Sequence, residues 1–447
     1  AIIMAKLSSA QTLKLDYLGD WGKNIGYPAL PMDVGSATAQ IISLTHKTTF
    51  TKKYFSTNDV KFYYNEVTHF MDDTHRPDAP MHMDMPGWTK TSGVYNELRA
   101  SEQLKIRLDY HNVYARADMI MYPVNEPIMY MQTLPENYLN NAGMSVQFKQ
   151  KFKHHQLITF NTRLDYYLQS ASRGPGYHQW KVFNENITKE KTDFLKNASI
   201  AYSINFLRKM FAQLSAGYGE RIPTSNERYG YYLYNRQDQY DYVGNLKLNP
   251  EQSYQTELTL KYQTSKSQFG INLFYHHINH YIYAVKLDGM SQMTIGAYGL
   301  KTYKNIPFAV TKGFEINANT EIINNLYYVG SIKFIYAETY DKKPLPLIAP
   351  LKLQHAIRYK LGLFTFQAEH DYAAEQKRVN SDYGDKVTPE YHLFNVRASK
   401  NFIIKSKVLQ LTLACENLFD TSYREHLDIG QIPRFGRNFM INLNFLF

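Results

Sequence analysis

The 447-residue chain carries a single cysteine, Cys415. That excludes an internal disulfide and any zinc or iron–sulfur site built on thiolates. No stretch approaches the ~18 consecutive apolar residues a membrane helix needs, so a helical membrane protein is excluded. The mean hydropathy of −0.45 agrees. A soluble chain of this length would divide into domains of roughly 100–200 residues joined by linkers rich in Pro, Gly or charge, and the sequence has no such linker. The segment from Ala1 to Lys6 lacks the basic head, apolar run and small-residue cleavage site of a secretion signal, so the chain is expected to begin mid-protein. A phosphate-cradling Gly loop, a Gly-x-Ser-x-Gly elbow and a His-Glu-x-x-His pair are all missing, which leaves an enzymatic role without support. The formal charge of +10 is spread along the chain rather than clustered, which argues against a nucleic-acid partner.

What the sequence has is a period of two. Ile158, Phe160, Leu164, Tyr166 and Leu168 alternate with Thr159, Asn161, Arg163, Asp165 and Tyr167. Ile271, Leu273 and Tyr275 alternate with Asn272, Phe274 and His276, and Ile332, Phe334 and Tyr336 with Ser331, Lys333 and Ile335. The C-terminal segment sets Phe439, Ile441, Leu443, Phe445 and Phe447 against Met440, Asn442, Asn444 and Leu446. Such segments are strands with one greasy and one polar face.

The connections decide the architecture. Short polar turns fall near 9–12, 47–57, 100–103, 151–155, 206–209, 264–268, 322–326, 360–363 and 403–407. Between them lie longer connections at 19–36, 70–92, 122–140, 171–193, 219–250, 284–303, 340–350, 379–388 and 419–436. Strict alternation of short and long collects every long connection at one end of an up-and-down antiparallel sheet, as in an outer-membrane barrel. A soluble sandwich has no reason to sort its loops this way. The expectation is therefore an all-β transmembrane barrel with about 19 strands in this chain, embedded in outer-membrane lipid. The 38 Tyr and 25 Phe fit girdles at the two membrane interfaces. The competing reading has them filling a soluble core.

Three motifs carry a family resemblance. Glu416-Asn-Leu-Phe-Asp-Thr-Ser-Tyr423, then Arg434-Phe-Gly-Arg437 and a terminal Phe447, resemble the C-terminal signature of TonB-dependent outer-membrane receptors. Gly217-Tyr-Gly-Glu-Arg-Ile-Pro-Thr224, followed by Gly244-Asn-Leu-Lys-Leu-Asn-Pro-Glu-Gln-Ser253 and Glu257, is similar to that family's mid-barrel pattern. The resemblance implies a plugged barrel of 22 strands. It also implies a plug domain and a TonB energy-coupling complex as partners, a terminal aromatic read by the barrel-insertion machinery, and residues 1–447 as the barrel portion with plug and first strands upstream. Surface or periplasmic partner chains are a further expectation. An odd number of strands leaves unpaired edges, so a partner segment is expected.

The chemistry concentrates between residues 71 and 131, where Met71, Met81, Met83, Met85, Met119, Met121, Met129 and Met131 lie among the chain's 15 methionines. Met81, Met83 and Met85 fall in the 70–92 connection, Met129 and Met131 in the next, with Met119 and Met121 at its approach, all on the outer side. Thioether and imidazole donors favour Cu(I), with His also serving Cu(II), while Fe(III) prefers oxygen. Methionines spaced by two on an extended segment present their sulfurs on one side. His82, within the run, and His69, before it, are further candidate ligands, as is His75. Gly26-Tyr-Pro-Ala-Leu-Pro-Met-Asp33 and Tyr63-Tyr-Asn-Glu-Val-Thr-His-Phe-Met-Asp-Asp73 resemble motifs of the copper-receptor-like branch of the family. Copper is thus expected as transported cargo, with no tightly bound cofactor, and the resemblance implies that the plug supplies further ligands.

The competing readings stay open. Methionine is an adaptable gap-filler, and these loops could pack with no metal. Met290 and Met293 are read as incidental, and His276, His277 and His280 as lumen-facing or interfacial. Asp72, Asp73 and Asp84 offer too few oxygens for calcium, which needs six to eight. One alternative function is uptake of a ferric siderophore or other organic chelate held by Tyr229, Tyr231, Tyr232 and Arg236. Another is a surface assembly or adhesion barrel without cargo.

Overall fold

Alternating side chains give each segment two faces, and antiparallel pairing of neighbours carries those faces across a continuous sheet. The computed structural model describes residues 1–51, 55–76, 79, 81–153, 155–183, 185–207, 209–404 and 407–446. The first strands are Ile2–Lys6 (β1), Gln11–Ile25 (β2), Asp33–Thr49 (β3), Thr57–Asp72 (β4), His82–Arg99 (β5), Leu104–Tyr122 (β6), Met129–Phe152 (β7) and Gln156–Ala171 (β8). A short helix, Pro175–Trp180 (α1), precedes Lys191–Phe206 (β9) and Met210–Arg221 (β10). A second, Ser225–Tyr229 (α2), precedes the short strands Leu233–Asn235 (β11) and Tyr240–Val243 (β12). The wall continues with Glu251–Gln263 (β13), Ser267–Lys286 (β14), Leu300–Ile323 (β15), Leu326–Thr339 (β16) and Lys352–Leu361 (β17). It ends with Phe364–Ala373 (β18), Tyr391–Ile404 (β19), Lys407–Glu416 (β20) and Asn438–Leu446 (β21).

Each strand of the wall pairs antiparallel with the next, and β10 passes directly to β13. The small hairpin β11–β12 stands outside this order, with β12 parallel to the start of β15. Setting it aside leaves 19 strands in the wall, as the turn count anticipates. Among the described residues no ladder joins β1 to β21. At the outer end the loops nonetheless meet across that seam, because a Cβ on Gly430 would lie 3.6 Å from that of Ala29.

One face of the wall is apolar and exposed: Leu108, Phe160, Ile200, Leu214, Leu413 and Ile441 all lie on it. The opposite face is wet. On it Arg163 bridges Asp109 (2.8 Å) and Asp165 (2.6 Å), and Arg397 bridges Glu369 (2.9 Å) and Glu416 (3.0 Å). A greasy outside and a polar inside is the arrangement of a barrel in lipid. It overrides the soluble-core reading of the aromatics, since Tyr110, Tyr166, Tyr254 and Tyr275 are exposed on the outer face.

The strands that border the nine short turns end and begin where the sequence places them, residues 52–54, 154, 208 and 405–406 of those turns lying outside the described residues, while three of the long connections shrink. The strands bordering 19–36, 70–92 and 122–140 run on, leaving only 26–32, 73–81 and 123–128 between them. Backbone pairing does not stop where the bilayer does, so strands that begin in lipid continue above it.

The family motifs are loop locks. Asn417 and Asp420 adopt positive φ (49° and 58°), which Asn and Asp tolerate better than most residues. The Asn417 side chain donates to the carbonyls of Thr421 (2.9 Å) and Phe435 (3.3 Å). In the mid-barrel pattern Thr224 caps α2, with Glu227 completing a capping box. Arg221 then joins Glu227 (2.9 Å) to Glu251 (2.8 Å). Phe447 lies outside the described residues.

Candidate metal-binding cavity

At the outer end of the wall the wet face turns apolar. Met71 of β4 stands opposite Met85 of β5, Met83 of β5 opposite Met121 of β6, and Met119 of β6 opposite Met131 of β7. Directly opposed residues point to the same face, so four neighbouring strands present one patch of thioethers. Met81 joins it, two residues before Met83. Together these seven line a cavity of about 500 Å³.

Two further methionines close it. Met32 comes from the loop after β2 and Met293 from the loop after β14. Each is set by a carboxylate. Asp33 accepts from Arg76 (2.5 Å), which also donates to the Tyr27 carbonyl (2.9 Å), fixing the loop that carries Met32. Asp241, fully buried, accepts from the backbone N–H groups of Met293 (2.8 Å) and Thr294 (2.9 Å). Leu347, Tyr383, Leu427 and Ile429 complete the rim from three other loops. No carboxylate and no histidine stands among the described lining residues.

Some of the expected ligands stand elsewhere. His82 alternates with Met81 and Met83 and turns away from the cavity. Its ring contacts the Asp73 carboxylate, stacks on Tyr122 at 5.1 Å, and has its Nε2 3.6 Å from Asp84. His69 shares the Met71 face but lies deeper and exposed, its imidazole over Gly87, where a Cβ would come within 2.5 Å of the ring. Met129 opposes Met121, yet it is exposed and does not line the cavity. Arg236 does line it.

Tyr229, Tyr231 and Tyr232 have a different place. All three are buried in the apolar cluster that backs the methionines, with Trp180, Phe183 and Val243. Phe183 meets Tyr231 edge-on at 5.9 Å, and the Tyr231 N–H donates to the Thr133 carbonyl at 2.7 Å. Burial pushes the Tyr229 phenol up to about 12. These rings brace the thioether wall from behind. Beneath them Arg228, fully buried, contacts Gln169 and pairs with Asp193 (2.6 Å).

Sequence reasoning missed Met32 and Met293 as parts of one site, although the Met32 motif was visible. It also held the signal that sets His82 apart, because a period of two places His82 on the face opposite Met81 and Met83.

A lipid-facing antiparallel sheet wrapped around a polar lumen, its long loops gathered over one cavity, defines an outer-membrane-type β-barrel. The chain belongs to the TonB-dependent receptor-like β-barrel family, whose sequence profile matches residues 7–418. That family consists of outer-membrane receptors and transporters rather than enzymes. No curated protein matches the chain in sequence. Among solved structures, the copper transporter OprC is similar over 100% of this chain and 71% of its own, with TM-score 0.86 and 18% identity. The FrpB iron transporter from Neisseria meningitidis (F5-1 variant) is similar over 100% of this chain and 72% of its own, with TM-score 0.71 and 13% identity. The ferric-catecholate import receptor Fiu from K12 E. coli, in its closed form, follows with TM-score 0.63 and 13% identity over 100% of this chain and 73% of its own. At such identities the likeness is one of fold.

Proposed function

We propose that this barrel wall belongs to a TonB-coupled outer-membrane receptor that takes up copper, held as Cu(I) by thioethers at the outer end of the lumen. The observation that carries the reading is the cavity itself: nine methionines from six segments converge on it, with no carboxylate among the described lining residues. Thioethers are soft donors that select Cu(I), whereas Fe(III) calls for oxygen ligands, and the described lining sets nine thioethers against the phenols of Tyr234 and Tyr383 and no carboxylate. Methionine also packs well without metal, so composition alone is not the argument. The argument is convergence, since a wall built only for packing has no need to draw the same side chain from the loops after β2 and β14 as well as from β4 to β7.

The similarity to the copper transporter OprC supports the same cargo. Uptake of a ferric chelate is the second reading, supported by the FrpB and Fiu likenesses and by Arg236 at the rim. It is weakened by the burial of Tyr229, Tyr231 and Tyr232, which removes three of its four proposed contacts. Titration of the intact receptor with Cu(I) against a competing chelator, before and after changing Met81, Met83 and Met85 to Leu, decides between them. Leucine keeps the apolar volume and removes sulfur, so affinity is expected to fall by at least tenfold, or about 1.4 kcal/mol. Unchanged affinity removes the site.

A further inference from the structure

Outside the lumen, on the lipid-facing side of β4 to β7, the wall carries a second concavity. The outward row of β6 runs Leu104, Ile106, Leu108 and Tyr110, and its partners on β7 are Phe148, Val146, Met144 and Ala142. The next outward rungs change character, with Asn112 opposite Asn140 and Tyr114 opposite Tyr138. On β5 and β4 the same level holds Ser92 opposite Tyr64 and Lys90 opposite Glu66. The result is a hollow of about 540 Å³ walled by Tyr64, Trp88, Tyr114 and Tyr138, with Lys90 and Asn112 among its polar groups.

Its height relative to the bilayer follows from cost. A Lys or Arg facing hydrocarbon at mid-membrane costs about 2–4 kcal/mol, and close to nothing at the interface. Lys90 and Arg116 therefore stand at or above the headgroups. From Leu104 to Asn112 is eight residues, roughly 27 Å along the strand and, at the ~40° tilt of such strands, about 20 Å of height, which takes up most of an apolar band about 25 Å tall. The hollow begins where that band ends, on the side of the long loops. It is continuous with the lipid-exposed surface below it.

Its chemistry is not that of a bare anion site. Lys90 is paired with Glu66 at 3.0 Å, and Arg116 is paired with Asp118 at 2.6 Å while lying over Trp88 at 5.1 Å. Tyr114 and Tyr138 meet at a tilt, 5.4 Å between ring centroids. Asn112 and Tyr110 both donate to the Asn140 side chain, each at 2.9 Å. Flat rings beside fixed, mutually paired donors and acceptors suit a polyhydroxylated ring, whose C–H face lies on an aromatic and whose hydroxyls both donate and accept.

We propose that this face binds the saccharide portion of a glycolipid in the outer leaflet. The lipid's acyl chains run down the apolar rows of β6 and β7, and its core sugars, beyond the acylated glucosamine headgroup, meet Trp88, Tyr114 and Tyr138. This proposal is independent of the copper reading.

The test uses the intact receptor in detergent and three probes: lipopolysaccharide, its delipidated core oligosaccharide, and lipid A without core sugars. Binding is read by saturation-transfer NMR and by the change in tryptophan emission, with Trp88→Phe as the control that leaves only Trp21 and Trp180 emitting. The oligosaccharide and the whole glycolipid are expected to bind, and lipid A without core sugars at least tenfold more weakly. Tyr114→Ala with Tyr138→Ala is expected to weaken oligosaccharide binding at least tenfold and to leave Cu(I) affinity unchanged. Lys90→Gln, a surface change, provides a second variant expected to weaken binding should the paired tyrosine change impair folding. The proposal is overturned if lipid A binds as tightly as the whole glycolipid, if the oligosaccharide does not bind, or if folded variants keep the parent affinity. Association of receptor copies through this face, abolished by the tyrosine changes and unaffected by sugar, overturns it equally.

Discussion

The Asp73 carboxylate accepts hydrogen bonds from the backbone N–H of Met83 through both of its oxygens, at 3.0 and 3.2 Å. Asp73 is 3% exposed, so this contact is made away from water. It fastens the first residues of β5 and thereby sets the direction of Met81, Met83 and Met85. Removing a buried acceptor strands the donor and costs about 1–3 kcal/mol. Asp73→Ala is therefore expected to speed hydrogen exchange at the Met83 amide by roughly one to two orders of magnitude. An amide that exchanges at the parent rate rules out the anchoring role.

His82 and Met83 are adjacent in sequence and opposite in orientation, and copper binding should tell them apart. His82→Ala is expected to leave Cu(I) affinity within about twofold, while Met83→Leu lowers it several-fold, following the donor preference of a soft ion. Competition against a Cu(I) chelator measures both. The reverse order would place the histidine, not the thioether wall, at the metal.

Arg228 is expected to hold the loop cluster behind the cavity. Its guanidinium and the Asp193 carboxylate are both buried, with 2.6 Å between them. Removing one partner of a buried pair costs about 3–5 kcal/mol, because the other charge is left without compensation. Arg228→Ala is thus expected to lower the melting temperature and to loosen the 172–190 and 222–250 loops to protease. A variant as protease-resistant as the parent would contradict this.

The rim of the cavity should respond to acid through His426. Its ring, 5% exposed, has Nδ1 2.9 Å from the Thr388 hydroxyl and Nε2 3.6 Å from Asp385. Asp385 in turn accepts from the backbone of Leu347 (2.8 Å), and Leu347, Leu427 and Ile429 all line the cavity. Burial lowers the pKa of His426, against the opposing pull of Asp385. A histidine whose folded pKa is depressed stabilises the fold above its unfolded pKa of about 6.5, and that contribution fades as pH falls below it. Hydrogen exchange in the 425–431 segment, corrected for intrinsic rates, should therefore accelerate as pH drops from about 7 towards 5. His426→Gln should flatten the dependence, and a pH-independent parent would refute it.

Much of the wall was legible from neighbouring residues alone. Turn residues and the two-residue alternation are local, so the strand ends at the short turns and the sidedness of segments such as 158–168 follow without tertiary information. The lengths of β5, β6 and β7 were not legible. Above the bilayer both faces become mixed, and the pattern that marks a strand in lipid fades while its ladder continues. At the site, the thioethers of Met81, Met83 and Met85 were assigned to one side by parity, and the same parity sets His82 on the other. Met129 shares the parity of Met131 and pairs in regular register with Met121, so parity does not separate the two; Met129 stands at the first residue of β7, where it is exposed, while Met131 is buried.

The order of residues by itself determined that this chain forms a two-faced sheet of short turns and long loops, because strand faces and turns are written within a few neighbouring residues. Only the curl of that sheet decided which methionines share a cavity. Met32, Met83, Met131 and Met293 are far apart along the chain and meet only where the loops after β2 and β14 reach the inner face of β4 to β7. The same curl placed Tyr229, Tyr231 and Tyr232 behind that wall, since burial is a property of what surrounds a side chain and not of the side chain itself.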